Sequence, residues 1–291
     1  MRLTSWNLLH GQAVPVDGKV VISGDLAAIS KHLSSDVVGL QEVDENQARS
    51  GEYSQVKELA KLSGLSGLSG LSGLSGPTGI NHWGYGRCVI GTPGVRWRKL
   101  KKNEPQLITN ESEVSNRFES SYGIGLISKV PVKKWHLLPL GRSLIGLPLP
   151  VASQRGLRFM YVKDEPRIAI AAELENGYTV AVTHLSFVPF VNVYQLFRVK
   201  RWLGKLPGTH ILMGDLNLPF NIPVKFSKWR SLNEMATYPT WGPKIQFDYI
   251  LSDSELDAIP VSGQPTGFSD HLPVMIEINS ASVIKSAGRT L

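Results

Sequence analysis

Short apolar runs alternate with polar breaks along most of the chain, and this pattern predicts strands. The runs are rich in Val, Ile and aromatic residues and are bounded by Gly, Pro, Asn or Asp. Eight strands are predicted, over residues 2–7, 36–43, 122–128, 167–174, 178–185, 209–216, 247–251 and 272–278. Apolar residues at helical spacing predict three helices, over residues 24–35, 52–62 and 191–206. The mixed order of strands and helices predicts an α/β or α+β sandwich with substantial sheet.

One segment departs from this pattern. Residues 62–76 are LSGLSGLSGLSGLSG, five copies of one tripeptide. A period of three matches neither a helix nor a strand, and the tract lacks the proline of a collagen-like repeat. We therefore expect the repeat to be a long loop inserted at the rim of a cleft and dispensable for chemistry. No other change of composition suggests a domain linker.

The composition is that of a globular protein, with 42% apolar and 19% charged residues in a chain of 291. The single cysteine, Cys88, excludes an intrachain disulfide and fits a reducing compartment. The first residues lack the pattern of a signal peptide, so a cytoplasmic location is expected. The apolar stretch at 137–152 contains Arg142 and three prolines, which makes it too broken for a membrane span. It is expected to be an apolar loop.

The formal net charge of +7 is concentrated in one place. The segment RWRKLKK at 96–102 contributes five of the basic residues, so most of the excess charge is a local patch. A basic run with Trp97 inside it suits a phosphate backbone and a stacked base. A solvated loop that binds nothing explains the run equally well, and both interpretations stay open.

Polar residues follow several predicted strands at the point where each strand ends. Ligands of open α/β sheets bind outside strand ends, so these residues are candidates for a site. They are Asn7, Glu42, His184, Asp215, Asn217, Asp248, Asp270 and His271. Each alone could be a turn residue, a helix cap, a surface ion pair or a packed histidine. If the sequence had no functional site here, a separate explanation of this kind would have to hold for every one of the residues. A shared site is the simpler interpretation.

The candidates fit metal-assisted phosphoryl chemistry. Mg²⁺ prefers oxygen ligands and is often held by one or two carboxylates, which Glu42 and Asp270 would supply with the amide of Asn7 close by. The absence of clustered cysteines and of an HExxH motif argues against zinc. No GxSxG or GxxxxGK[ST] motif points to another class of reaction.

Phosphoryl transfer also needs a group that orients a water and donors that neutralise charge on the phosphate. Asp215, Asn217 and the two histidines match that requirement. A carboxylate behind His271 would orient and charge its ring, and Asp248 is the candidate for that carboxylate.

Seven motifs appear in an order that resembles the endonuclease/exonuclease/phosphatase superfamily, which has a deoxyribonuclease-I-like fold. They are SWNLLHG, DVVGLQEVD, YGIGLISKVPV, VAVTHLSF, LMGDLNLP, FDYIL and SDHLPV. The resemblance covers roughly residues 1–278. It implies a four-layer sandwich of two mixed β-sheets flanked by helices, with the site at one end. It also implies one domain, expected over residues 1–279, followed by a C-terminal tail at 280–291.

The resemblance assigns roles to the candidates. The metal residues are Asn7, Glu42 and Asp270. The catalytic residues are His184, Asp215, Asn217, Asp248 and His271, with Asp215 aiming or deprotonating the attacking water. The expected substrate contacts are Arg167 and Tyr122, together with the residues Arg96, Trp97, Arg98 and Lys99 that the basic run itself suggests. Arg167 lies where relatives often have an arginine, and its role could be a phosphate contact or an internal salt bridge.

The sequence predicts a divalent-metal-dependent phosphodiesterase using Mg²⁺ or Mn²⁺, with nucleic acid as the first expected partner. The start WNLLHGQ departs from abasic-site endonucleases, FDYI departs from inositol-polyphosphate phosphatases, and secreted sphingomyelinases would need a leader. What remains resembles bacterial members without a settled substrate. The alternatives are a phosphatase or phosphodiesterase for a small or lipid phosphate, and a nucleic-acid-binding relative that no longer cleaves. A monomer is expected.

Overall fold

The computed structural model describes residues 1–14, 25–65, 82–112, 119–151, 158–261 and 263–279. The strands are β1 (Arg2–Asn7), β2 (Val37–Glu45), β3 (His82–Thr92), β4 (Arg96–Arg98), β5 (Leu107–Thr109), β6 (Ser121–Ser128), β7 (Val132–Gly141), β8 (Leu147–Val151), β9 (Arg158–Val162), β10 (Arg167–Leu174), β11 (Tyr178–His184), β12 (Thr209–Asp215), β13 (Arg230–Ser231), β14 (Asp248–Ser252), β15 (Ala258–Val261) and β16 (Val274–Ile278). The helices are α1 (Leu26–Ser30), α2 (Gln55–Leu65), α3 (Val191–Leu203) and α4 (Ile222–Ser227).

Most of the strands form two large mixed sheets. The first has the order β15-β16-β1-β2-β6-β3-β4, with β5 also paired to β3, and its one parallel pair is β1–β2 among the described strands. The second has the order β13-β14-β12-β11-β10-β7, with β11 and β12 parallel. Strands β8 and β9 form a separate two-stranded ribbon.

The two sheets pack face to face over an apolar core. Val37 and Ile124 from the first sheet join Val182 and Met213 from the second in this core. Gly39 shows how closely the sheets approach, since a Cβ there would lie 3.0 Å from the side chains of both Val182 and Met213.

Helices cover the two outer faces. Ile29 of α1 and Leu59 of α2 are buried with Trp6 on the outer face of the first sheet, while α3 packs its buried face against the second. The arrangement is the predicted four-layer sandwich. Among the described residues, no helix has both the length and the apolar character to cross a membrane.

All eight predicted strands and all three predicted helices are present, with boundaries shifted by a few residues. The glycine-rich segment at 82–88, which is not among the predicted strands, begins the long strand β3. Its glycines allow close packing in the sandwich: a Cβ at Gly84 would lie 2.7 Å from Trp135, and one at Gly86 would lie 2.6 Å from Ile168.

The apolar stretch at 137–152 was predicted to be a loop, and this is wrong. Its residues end β7 and form β8, because alternating leucine and proline in an exposed ribbon keep the extended backbone that a strand needs. The repeat also differs from its prediction at its start. Helix α2 continues to Leu65, so the first four repeat residues are helical. The rest of the repeat, at 66–76, and the predicted tail at 280–291 lie outside the described residues.

Candidate active site

The polar residues predicted at strand ends come together at one end of the sandwich. β1 ends at Asn7, β11 at His184 and β12 at Asp215, and Asp248 begins β14 directly opposite Asp215. Because β11 and β12 are parallel neighbours, their last residues are register partners. Hydrogen bonds, close ion pairs or electrostatic interactions link all eight predicted residues.

The backbone around Asp215 requires a glycine before it. Gly214 has φ of 148°, and a Cβ at this position would lie 1.9 Å from the carbonyl oxygen of Thr183. After the strand, the N–H of Asn217 donates to Asp215 Oδ1 at 2.9 Å, and the Asn217 amide donates to the carbonyl of Leu185 at 3.0 Å. These contacts fix the directions of both predicted side chains.

Asp215 lies at the centre of the cluster. Its Oδ2 accepts a hydrogen bond from Asn7 Nδ2 at 3.1 Å. The same oxygen faces the Nε2 atoms of His184 at 3.5 Å and of His271 at 3.8 Å. Burial raises the pKa of Asp215 to about 6, although the positive charge of His271 acts in the opposite direction. A carboxylate with such a pKa can hold a proton or release it near neutral pH.

Glu42 lies at an irregularity in β2. It has a φ of 54°, and the pairing with β6 is interrupted between Leu40 and Val43. A glutamate in this region of backbone space is strained, and such strain is often found at functional sites. Glu42 Oε1 accepts from Asn7 Nδ2 at 3.1 Å. Burial raises the pKa of Glu42 to about 7, and the charge of Asp270 acts in the same direction.

His271 and Asp248 form the predicted pair. His271 Nδ1 lies 2.8 Å from Asp248 Oδ2, and Asp248 is fully buried. Burial alone would lower the pKa of His271, but the charges of Asp248 and Asp215 hold it well above its usual value. The ring is therefore protonated at neutral pH, and its Nε2–H is available to an oxygen in the adjoining cleft.

His184 has the opposite character. Burial lowers its pKa well below the usual value, and the positive charges of Arg167 and His271 act in the same direction. The ring is neutral at neutral pH. The site therefore combines a charged histidine and a neutral histidine on either side of one carboxylate.

The donor set fits a divalent cation at Glu42 and Asp270. Burial raises the pKa of both carboxyl groups, and the charge of Asp270 acts on Glu42, so a cation between them would relieve an unfavourable interaction. Asn7 contacts the neighbouring carboxylates through its nitrogen, while its oxygen accepts from the N–H of Leu9 at 3.1 Å. In this arrangement the nitrogen of Asn7 faces the carboxylates, and the place of Asn7 in the metal site stays a prediction.

A second group of possible ligands consists of Asp215, Asp248 and His271, whose ligand atoms all lie within 4.8 Å of one another. The 2.8 Å hydrogen bond between His271 and Asp248 occupies one atom of each in this group. Glu42 and Asp270 take no part in this pair, and their role as metal residues stays a prediction.

Arg167 is an internal salt-bridge residue in this structure. It is almost completely buried and lies 3.3 Å from Asp164 Oδ1 and 3.2 Å from Glu165 Oε1. Tyr122 is also buried and is hydrogen-bonded to Glu165. Arg167 and Tyr122 both line the cleft, so their positions agree with the predicted substrate contacts while their polar groups are already paired.

Only part of the basic segment at 96–102 lines the cleft. Arg96 and Trp97, on the edge strand β4, line the cleft. Arg98 instead forms ion pairs with Glu104 and Glu119. Arg98 and Lys99 do not line the cleft, so their predicted role in substrate binding gains no support from their positions.

Sequence reasoning missed a polar group on the opposite side of Glu42. Arg49 makes two 2.8 Å hydrogen bonds to the buried Asp44, and its Nη2 lies 3.1 Å from His10 Nδ1. Burial lowers the pKa of His10 to about 4, and His10 and Arg49 both line the cleft. The only signal in the sequence is the clustering of charge in DENQAR, which is equally typical of a surface loop.

The cleft has a volume of ≈ 1600 Å³. Small-molecule pockets are usually about 300–1,000 Å³, so this cleft is large enough for an extended substrate. Its walls carry aromatic residues besides the polar cluster, including Phe187, Phe190, Phe226 and Tyr238. The centre of the Tyr238 ring lies 4.9 Å from that of His271, with the ring planes tilted by 48°, so Tyr238 contacts one side of the cluster.

The fold and the polar cluster together are those of a phosphoester hydrolase. The chain belongs to the endonuclease/exonuclease/phosphatase family, whose model matches residues 4–271. No curated protein sequence gives a significant match.

Several solved structures share the fold. An endonuclease/exonuclease/phosphatase from Beutenbergia cavernae DSM 12333 is 18% identical with a TM-score of 0.56, over 96% of this chain and 71% of that one. A family protein from Leptotrichia buccalis C-1013-b is 14% identical with a TM-score of 0.54, over 96% and 99%. A mannosyl-6-phosphatase from Bacteroides thetaiotaomicron VPI-5482 is 15% identical with a TM-score of 0.50, over 96% and 99%.

Proposed function

We propose that the protein is a divalent-metal-dependent phosphodiesterase in which Asp215 activates the attacking water. The observation that carries this proposal is the position of Asp215, between a charged His271, a neutral His184 and the amide of Asn7. Membership of a family of phosphoesterases supports the reaction class.

In this proposal each residue of the cluster has one task. Asp215 accepts a proton from water as the water oxygen bonds to phosphorus, and the bond from phosphorus to the leaving oxygen breaks. The protonated His271, held by Asp248, donates a hydrogen bond to a phosphate oxygen on which charge develops. Asn217, fixed beside Asp215, contacts the same phosphate.

Mg²⁺ or Mn²⁺ held by Glu42 and Asp270 would supply positive charge to the phosphate oxygens and the leaving oxygen. Asn7 fixes the separation between the Glu42 and Asp215 carboxylates, because its Nδ2 donates a hydrogen bond of 3.1 Å to each of them. Arg167 contributes by holding Asp164 and Glu165 at the cleft wall, which limits the number of free carboxylates near an anionic substrate.

Nucleic acid is the first substrate class in the proposal. Trp97 and Arg96 on the cleft wall would offer a stacking surface and a phosphate contact. The support from the rest of the basic segment is weaker than its sequence suggests, because Arg98 is paired with two glutamates. Phosphorylated small molecules and lipids are the alternative.

A panel of substrates tests the proposal. Single- and double-stranded DNA, RNA, phosphorylated sugars and phospholipid vesicles would be incubated with Mg²⁺ or Mn²⁺, with and without EDTA. We expect turnover of at least one class that EDTA abolishes. Salt-sensitive nucleic-acid binding without turnover of any substrate would instead favour the non-cleaving relative.

A further inference from the structure

The β8–β9 ribbon exposes apolar side chains that the fold does not use. Phe159 is 81% exposed and Tyr161 is 63% exposed, and Leu144 at the base of the ribbon is 93% exposed. Among the described strands, β8 and β9 pair only with each other. Phe159 and Met160 are consecutive and both exposed, so both faces of the ribbon are apolar. Contiguous exposed apolar surface of this kind marks an interaction site.

The charged residues of the chain between Gly141 and Asp164, which includes the ribbon, are all basic. Residues 137–163 contain four basic residues and no acidic residue. The basic residues are Arg142, Arg155, Arg158 and Lys163. Apolar side chains combined with basic ones are the composition that binds the headgroup region of an anionic membrane.

The ribbon is continuous with the catalytic cleft. Leu149, Met160 and Lys163 line the same cleft as Asp215. The base of the ribbon is held by Asp164, whose Oδ2 accepts from the N–H of Ser143 at 2.6 Å. Asp164 also pairs with Arg167 in the wall of the site. The position of the ribbon relative to the cluster is therefore fixed by hydrogen bonds.

An exposed aromatic ring that is not part of the ribbon also lines the cleft. Phe190, just before α3, is 86% exposed and has φ of 67°. Positive φ is costly for a bulky residue, and the exposed ring gains no packing in return. An apolar phase that receives the ring would explain both features.

We propose that the ribbon and Phe190 dock on an anionic lipid surface, and that the lipid alternative of the proposed function, the phosphoester of a headgroup, takes the place of nucleic acid as the substrate of the cleft. This inference rests on the proposed hydrolytic function for its second half only. Docking would hold the cleft at the membrane, where a headgroup can reach Asp215 without the lipid leaving the bilayer.

Two other partners fit the ribbon less well. In a two-fold contact with a second copy, the same basic residues would face each other and repel. A nucleic acid could stack bases on Phe159 and Tyr161, but it would leave the exposed aliphatic side chains of Leu144 and Ile145 without an apolar partner. Anionic lipid satisfies both the apolar and the basic side chains.

Vesicle co-sedimentation tests docking without turnover. The full chain would be mixed with phosphatidylcholine vesicles, or with vesicles containing roughly one-third phosphatidylglycerol. The test variant is Leu144→Ser/Phe159→Ser, and neither residue lines the cleft. The control is Ile259→Ser, a residue 55% exposed on β15 at the edge of the first sheet.

We expect the parent and the control to sediment with the anionic vesicles, and the double variant to partition roughly ten- to a hundredfold more weakly. Hydrolysis of a soluble phosphodiester should be unchanged in the double variant, while hydrolysis of vesicle lipid should fall in parallel with binding. Equal sedimentation of parent and double variant would overturn the docking surface. Dimerisation of the parent through Leu144 and Phe159 would also overturn the docking surface. So would a double variant that loses binding to DNA but keeps binding to vesicles.

If the parent binds vesicles and cleaves the soluble ester but not the lipid, the lipid-substrate half of the inference is overturned. If it binds vesicles and cleaves nothing, the proposed function fails while the docking surface stands.

Discussion

A histidine–aspartate pair lies at each end of the antiparallel strands β12 and β14. At one end His210, near the start of β12, pairs with Asp253, just after β14. At the other end His271 pairs with Asp248, the first residue of β14. The two histidines are equally exposed, with 6% of the surface of each residue accessible.

The two pairs differ at the second ring nitrogen. His210 Nδ1 lies 2.5 Å from Asp253, and its Nε2 lies 2.9 Å from the carbonyl of Leu206. Because both partners are acceptors, the ring is protonated and both of its donors are used. His271 uses only Nδ1, and its Nε2 lies 3.8 Å from Asp215 in the wall of the cleft. A histidine–aspartate pair therefore indicates a function only where the second nitrogen remains available.

The comparison predicts its largest effect for matched histidine substitutions. His271→Gln should reduce turnover roughly a hundred- to ten-thousandfold, because it removes the charged donor facing the phosphate. His210→Gln should leave turnover within about threefold, since its ring contacts no substrate. Steady-state kinetics on both variants, with circular dichroism to verify folding, measures the difference. Similar losses in both variants would show that the two pairs are not functionally distinct.

The second effect concerns Glu42, one of the two carboxylates proposed to hold the cation. Glu42→Gln should raise the metal concentration for half-maximal activity by about ten- to a hundredfold. Glu277→Gln is the control, because Glu277 is half-exposed and pairs with Arg2 on the surface. Unchanged metal dependence in Glu42→Gln would remove Glu42 from the metal site.

The Glu42 carboxylate should also make metal binding depend on pH. The pKa of Glu42 is raised to about 7, and the cation requires its ionised form. Metal affinity should therefore weaken as the pH falls below 7, and binding at pH 7 should release about half a proton per cation. Calorimetry in two buffers with different ionisation enthalpies measures the release. Binding without proton release would contradict the assignment.

A smaller effect separates the two arginines of β4. Arg96→Gln should raise KM for an anionic substrate several-fold, whereas Arg98→Gln should change it less than about twofold, because Arg98 is already paired with Glu104 and Glu119. Kinetics at low ionic strength makes this contrast largest. A stronger effect of Arg98 would mean that its ion pairs open when the substrate binds.

The smallest effect is the stability supplied by the His210–Asp253 pair, in which both ring nitrogens are hydrogen-bonded. His210→Gln should reduce the free energy of unfolding by about 1 kcal/mol near pH 6. The hydrogen bond to Asp253 raises the pKa of His210, so this contribution is complete below the unfolded pKa and is lost as the pH rises through the folded pKa. The pKa of Asp253 is lowered by His210 although burial acts against this, so the contribution also declines in strong acid. Urea denaturation of the parent and of His210→Gln across this pH range measures the difference in their free energies of unfolding. A difference that grows as the pH rises would contradict the prediction.

The sequence predicts the sandwich well because its central strands are buried on both faces and carry strong apolar runs. It misses β3, because glycine is rare in strands and β3 contains Gly84 and Gly86. These glycines leave the space that the side chains of Trp135 and Ile168 from the other sheet occupy. That requirement is set by tertiary packing and leaves no local pattern.

For the candidate site, the strand-end rule identifies the eight clustered residues, since strand register alone brings His184, Asp215 and Asp248 together. The rule cannot identify His10 and Arg49, whose positions depend on loop conformation. Nor can it show that Arg98 is paired, because its partner Glu119 lies 21 residues further along the chain.

The most direct test of the account is the hydrolysis of a soluble phosphodiester by the parent and by Asp215→Asn, each with Mg²⁺ or Mn²⁺ and with EDTA. Asparagine keeps the shape of Asp215 but cannot accept a proton from water. We predict metal-dependent turnover by the parent, abolished by EDTA, and a loss of roughly a thousandfold or more in a variant that remains folded. Near-normal turnover by Asp215→Asn, or turnover that EDTA does not affect, would contradict the account.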